Sequence, residues 1–287
     1  MVIELCLSFF FSAIVLALVL ILLLVPKSSS DSGSSSGPTI DMGIELKALN
    51  ASGEIPNSVM KGDKRAFEVL LKKGVLHGEG SNAHVKMRPG QFFPSESCRV
   101  KFKLWFDDAF QWTASSSHKV AGKLGGFKMG SGPASGGNYS TSGATFRLTF
   151  YRDKGAVAYL YPQLKQNFNG SPSWDLLDQD PSLVSQSYVA MGVHVFNPNR
   201  NPQLFFRMGG WNDVEMYCRL NTPGKYDGVM ELTVNGQSRR LNTVRYRYTA
   251  DLKIDHFLLS PFFGGGSQDY APKTDIRLWY TDFAFGN

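Results

Sequence analysis

Alternation is the feature that most narrows what this chain can fold into. From about residue 40 onward apolar residues recur at every second position in run after run, and clusters of Gly, Pro, Asn and Ser separate the runs. Side chains alternate across a strand, so this pattern predicts the half-buried strands of an all-β sandwich. In residues 98–106, Val100, Phe102, Leu104 and Phe106 share one face while Arg99, Lys101 and Lys103 share the other. In residues 143–152 the same rule assigns Ala144, Phe146, Leu148 and Phe150 to the core, and Thr145, Arg147, Thr149 and Tyr151 to the opposite face. Val157, Tyr159 and Tyr161 share a face in the next run. The intervening RDKG is a turn sequence, with Gly155 available for the positive φ of a short hairpin. These two strands are therefore expected to be antiparallel neighbours, with Arg147 and both tyrosines on one surface. Further along, Val214, Met216, Cys218 and Leu220 alternate with Glu215, Tyr217 and Arg219, and Asn235-Gly236 signals a second hairpin. No helix of normal length and no repeat is legible, which favours a jelly roll over a propeller or solenoid.

The 287 residues are enough for one large β domain, and 43% hydrophobic residues with 29 glycines suit a turn-rich, sheet-forming chain. The net charge of +6 is spread along the chain and forms no basic arm, so a nucleic-acid partner is not indicated and a polyanionic carbohydrate fits at least as well. Cys98 and Cys218 are the pair open to a folded domain, either as a disulfide or as two small apolar strand residues.

Residues 6–25 form an uncharged apolar run of the length needed to cross a bilayer, preceded by Glu4 and followed by Pro26 and Lys27. This reads as a transmembrane anchor (residues 1–27) in preference to a cleaved signal. Residues 28–39 are a Ser/Gly-rich tether, and the folded domain is expected over 40–287, held outside the cytoplasm or on a virion surface. Sequons at Asn50, Asn138 and Asn169 carry meaning only in a secretory compartment.

Several segments resemble polysaccharide lyase family 14, the alginate lyases of molluscs and the wall-degrading lyases of viruses of Chlorella-like algae. They are GKLGG from Gly122, GSGPASGG, ATFRLTF, AYLYP, the run at residues 211–236 and FLLSPFFGGGSQDYAP. The resemblance implies a jelly-roll fold and β-elimination of uronic-acid polysaccharide; with no calcium-loop or zinc signature in the sequence, no metal or cofactor is expected. The resemblance places the catalytic lysine at Lys123, a hydroxyl and arginine at Thr145 and Arg147, and a tyrosine pair at Tyr159 and Tyr161. Two positions depart from the family pattern. Gly125 stands where proline is common, which would loosen a loop carrying Lys123, and Thr145 stands where viral members have serine. Tyr217, Arg219 and His194 are candidate substrate-binding residues, His194 because its strand parity suits the same cleft.

β-Elimination takes the C5 proton of a uronate and expels the oxygen at C4. The planar fork of Arg147 suits the uronate carboxylate, which gains charge as C5 is deprotonated. Tyr159 or Tyr161 could act as base and acid if Lys123 and Arg147 favour a phenolate; alternatively, burial could make Lys123 itself the proton carrier. His118, His194 and His256 show no metal-ligand spacing, and Glu215, Asp227 and Glu231 show no motif pairing them as hydrolase carboxylates. The competing readings are a non-catalytic carbohydrate-binding module and a surface-attachment protein. The chain is expected to act as a monomer.

Overall fold

A computed structural model describes residues 47–115, 118, 119 and 121–287. The expected membrane anchor and the Ser/Gly tether lie outside the described residues, among which no helix is long and apolar enough to cross a membrane.

In chain order the strands are β1 (Ser52–Glu54), β2 (Ser58–Lys61), β3 (Lys64–Leu71), β4 (His84–Met87), β5 (Ser97–Phe106), β6 (Thr113–Ser115) and β7 (His118–Lys119). They continue as β8 (Ala121–Gly130), β9 (Asn138–Tyr139), β10 (Gly143–Tyr151), β11 (Gly155–Tyr161), β12 (Phe168–Asn169), β13 (Ser187–Val189) and β14 (Val193–Val195). The remainder are β15 (Leu204–Phe205), β16 (Asn212–Arg219), β17 (Gly228–Val234), β18 (Gln237–Val244), β19 (Ile254–Leu259), β20 (Phe262–Gly264) and β21 (Ile276–Gly286). Short helices Trp174–Leu177 and Pro181–Ser185 interrupt the strands.

Two antiparallel sheets make the sandwich. One is ten-stranded, with the path β1-β4-β19-β8-β10-β11-β14-β13 and with β15 and β20 attached to β11 and β8; the other is seven-stranded, β18-β17-β16-β5-β21-β3-β2. The chain passes repeatedly between them, as in a jelly roll. Their inner faces meet in an aromatic core, in which Phe102 of the smaller sheet lies 5.9 Å from Phe257 of the larger and Phe127 lies 5.7 Å from Phe257. Burying a phenylalanine of this kind contributes about 1.5–3 kcal/mol.

Alternation reads out faithfully on the smaller sheet: β5 and β16 each bury every second residue. Cys98 and Cys218 are direct cross-strand partners, buried and both free. On the larger sheet the expected wet face is not wet, because every residue of β10 and β11 is buried. Polar segments packed on the outer side of this sheet exclude solvent there, and period-two patterning cannot reveal such a cover.

Both predicted hairpins form, with one change of detail. Asn235 and Gly236 take positive φ at the β17–β18 turn. At the β10–β11 turn the positive φ values belong to Asp153 (58°) and Lys154 (63°), with the Gly155 N–H donating to the Arg152 carbonyl. Gly155 is needed for space instead, since a Cβ there would collide with the Pro202 ring.

Candidate active site

Register on the larger sheet brings the candidate residues together. Arg147 pairs with Tyr159, and Thr145 with Tyr161, across β10 and β11. Tyr159 in turn pairs with His194 on β14. Directly opposed residues point to the same face, so these five side chains share the outer surface of the sheet.

Lys123 joins them through a bulge. Along β8, Lys128 pairs with Thr145, Gly126 with Arg147 and Gly125 with Leu148, but Thr149 then pairs with Lys123, leaving Leu124 as the extra residue. A regular strand would turn Lys123 into the core; one inserted residue reverses its facing and aims it at the tyrosines. The lysine expected in a glycine-rich loop therefore sits within a strand and is buried. Gly125 belongs to this bulge, and a Cβ there would lie 3.0 Å from the Phe257 ring. Gly126 leaves room for Arg147, whose Cδ would lie 3.0 Å from an added Cβ. Gly192 does the same for Tyr159, whose Cζ would be 2.7 Å away.

The Lys123 Nζ lies 5.4 Å from the Tyr159 ring centroid and 5.2 Å from that of Tyr161. The glycine-rich segment 130–137 closes over these groups and satisfies them one by one. Ser135 Oγ accepts from Lys123, the Ala134 carbonyl accepts from Thr145 Oγ1 at 2.8 Å, and the Gly132 carbonyl accepts from Lys128. The Gly137 N–H donates to the Tyr161 hydroxyl at 3.0 Å, and that hydroxyl donates to the Tyr159 oxygen over a long 3.4 Å. Arg147 Nη2 donates to the Ser260 carbonyl at 3.0 Å, while its Nε is buried without a partner. His194 stands edge-on to Tyr159, with centroids 4.4 Å apart, and its Nδ1 is also buried and unpartnered.

Electrostatics follow from this burial. Desolvation, with Arg147 adding repulsion, holds the Lys123 ammonium well below its ordinary pKa, and burial brings Arg147 down to about 10. Burial, then Lys123 and Arg200, pushes His194 down to about 3, so its ring is neutral. Tyr159 is raised well above 10 by burial and then by Tyr161, and Tyr161 is raised by burial. The expected phenolate is thus not favoured: the desolvation cost of the anion prevails. The alternative expectation, a deprotonatable lysine, matches the observed direction.

Tyr217 and Arg219 are not part of this constellation. They lie on β16 of the smaller sheet with their side chains turned away from the core, so the whole sandwich separates them from Lys123. Tyr217 stacks under Arg99 at 4.6 Å, and Arg219 donates to the Asp227 carbonyl at 3.0 Å. Parity alone cannot say which of two sheets a strand joins. Sequence reading also missed Ser135, Lys128 and Tyr139, whose ring lies 4.7 Å from Tyr161. Lys128 is five residues from Lys123, an odd spacing that hides their common face until the bulge is seen. Among the described residues no cluster of His, Cys, Asp or Glu could hold a metal.

Proteins of known structure share the fold of this chain. The chain is 25% identical over 236 residues to exolysin of Paramecium bursaria Chlorella virus 1, covering 75% of this chain but only 32% of that relative's length. The alginate lyase vAL-1 from Chlorella virus has the same fold, with a TM-score of 0.67 at 21% identity over 87% of this chain and 98% of that one. The marine PL-14 alginate lyase from Aplysia kurodai superposes with a TM-score of 0.65 at 20% identity, over 88% of this chain and 96% of the other. Residues 61–283 match the model of Polysaccharide lyase 14, and the chain belongs to that family.

Proposed function

We propose that this chain is a lyase that cleaves uronic-acid-containing polysaccharide, alginate or a glucuronan-like wall polymer, by β-elimination. The observation that carries the proposal is the convergence of Lys123, Arg147, Tyr159 and Tyr161 on one sheet face, with the lysine shifted toward a neutral amine and the phenols held protonated. Family membership and the alginate lyases of the same fold support the substrate class.

In this reading Arg147 holds the carboxylate of the reacting uronate and stabilises the charge that accumulates there. The neutral Lys123 amine takes the C5 proton. The electron pair left at C5 forms the C4–C5 double bond, the C4–O bond breaks, and the departing oxygen takes a proton from a phenol. Hydrogen-bond polarity assigns that donor: Tyr161 accepts from Gly137 and gives its proton toward Tyr159, which leaves the Tyr159 O–H directed to substrate. Thr145 and Ser135 position the segment that covers the site. His194, neutral, supports Tyr159 and offers a ring nitrogen to a sugar hydroxyl.

The test is incubation of the purified domain with alginate, glucuronan and algal wall extract, following ultraviolet absorbance of the unsaturated uronate end. Product from the wild type and none from Lys123→Ala, with unchanged melting, is the expected result. Membrane anchoring through residues 6–25 belongs to the same proposal on sequence grounds, and retention of the full chain in a detergent-extractable membrane fraction tests it.

A further inference from the structure

The outer face of the larger sheet is organised in rows that cross the strands. One row runs His256 on β19, Lys128 on β8, Thr145 on β10 and Tyr161 on β11. The next runs Lys86 on β4, Leu258 on β19, Gly126 on β8, Arg147 on β10, Tyr159 on β11 and His194 on β14. Arg147 therefore divides two unlike flanks. Toward β11 and β14 the face is phenolic and imidazole; toward β8, β19 and β4 it carries Lys128, Lys86 and His256.

Adjacent strands are about 4.8 Å apart and alternate residues about 6.7 Å, so Lys128 stands roughly 8 Å from Arg147 between Cα atoms and Lys86 roughly 14 Å. Neither lysine forms an ion pair among the described residues. The partner of Lys128 is the neutral Gly132 carbonyl, and Lys86 is exposed. Asp255 of β19, a carboxylate that acts on Lys128, is engaged by His256 at 2.7 Å and Arg88 at 3.1 Å.

We infer that Lys128, with Lys86 beyond it, binds carboxylates of the uronate residues that neighbour the reacting one, so that an acidic polymer crosses the sheet from Arg147 toward β4. This rests on the polyuronate reading and adds to it the direction and the contacts of the polymer. A half-buried ammonium without a counter-ion beside a carboxylate-binding arginine gains most from a polyanion and little from a neutral sugar.

Protonation gives the contact a signature. Burial, then Arg147, lowers Lys128 to about 8, with Asp255 opposing the shift. The charged groups facing it are Arg147 from β10 and Asp255 from β19, with His256 of β19 lowered by burial and so neutral at alkaline pH. Lys128 is charged below about pH 8 and neutral above, so polymer affinity should fall as pH rises through that value.

The experiment compares wild type, Lys128→Gln, Lys128→Arg and Lys86→Gln on polymer and on a length series of oligouronates. On polymer, Lys128→Gln is expected to raise KM about tenfold with kcat within about twofold, and Lys128→Arg to restore KM and remove its alkaline rise. Lys86→Gln, a surface change that spares the fold, should raise KM only for the longer substrates, and added salt should shrink both effects. Unchanged KM for polymer in both Lys128→Gln and Lys86→Gln overturns the inference. Calorimetric titration of a polyuronate into the same variants reads the contact without turnover, and equal affinity with and without Lys128 overturns it as well. Failure of the wild type to cleave any polyuronate while Lys128-dependent binding persists would sink the lyase reading alone.

Discussion

At the scale of single residues the site turns on protons whose affinities burial has moved in opposite directions. Lys123→Ala removes the amine proposed as base, and turnover should fall by about 10²–10⁴-fold with little change in KM. Lys123→Arg keeps a cation but is effectively never deprotonated, so steady-state assays should show no rescue. The tyrosines separate in the same way. Tyr159→Phe removes the proposed proton donor and should cost about 10²-fold or more in kcat, whereas Tyr161→Phe only misorients its neighbour and should cost about tenfold. Equal losses in the two variants would contradict the assignment drawn from hydrogen-bond polarity.

At the scale of elements the bulge in β8 and the cover at residues 130–137 do what no single side chain can. Deleting Leu124 would give regular pairing with β10 in which Lys123 still stands opposite Thr149 on the outer face, while the core loses a buried leucine. The expected outcome is a stability loss of about 2–5 kcal/mol, read by chemical denaturation, because a core side chain is lost while Lys123 keeps its facing. Gly192→Ala isolates geometry from chemistry: its Cβ would sit 2.7 Å from Tyr159 Cζ. Displacement of that ring should lower kcat about 10²-fold while the fold remains intact by circular dichroism.

At the scale of the whole molecule the two faces of the sandwich are independent. Tyr217→Ala should leave kcat and KM within about twofold of wild type, since the altered ring lies beyond the core on the other sheet. The buried site also sets a pH profile for stability. His194 falls from 6.5 to about 3 on folding, so its contribution is complete above about pH 6.5 and is lost as pH drops toward 3. The lowered Lys123 acts in the same direction at higher pH, because the unfolded chain holds a proton that the folded one releases. Raised Tyr159, Tyr246 and Tyr280 oppose this above pH 10, where only the unfolded phenols ionise. Melting temperature should therefore rise from pH 5 to about pH 9 and fall beyond pH 10. Replacing His194 with Gln should flatten the acidic limb.

Alternation and turn chemistry determined much of this protein without its tertiary structure. The two-sheet β architecture, the core faces of β5 and β16, and the β10–β11 and β17–β18 hairpins follow from local rules, because a strand's facing and a tight turn's residues are set within a few positions of one another. The adjacency of Arg147, Tyr159 and Tyr161 follows from one such hairpin. The tertiary structure alone decided the rest. Which sheet β16 joins, and hence that Tyr217 and Arg219 lie far from Lys123, depends on pairing between strands distant in sequence. Whether the face bearing Arg147 meets water depends on a cover supplied by another segment, and that burial, not the neighbouring cations, sets the direction of the Tyr159 and Lys123 shifts. The facing of Lys123 depends on Leu124 being left unpaired, because strand parity is a local count that a single bulge reverses.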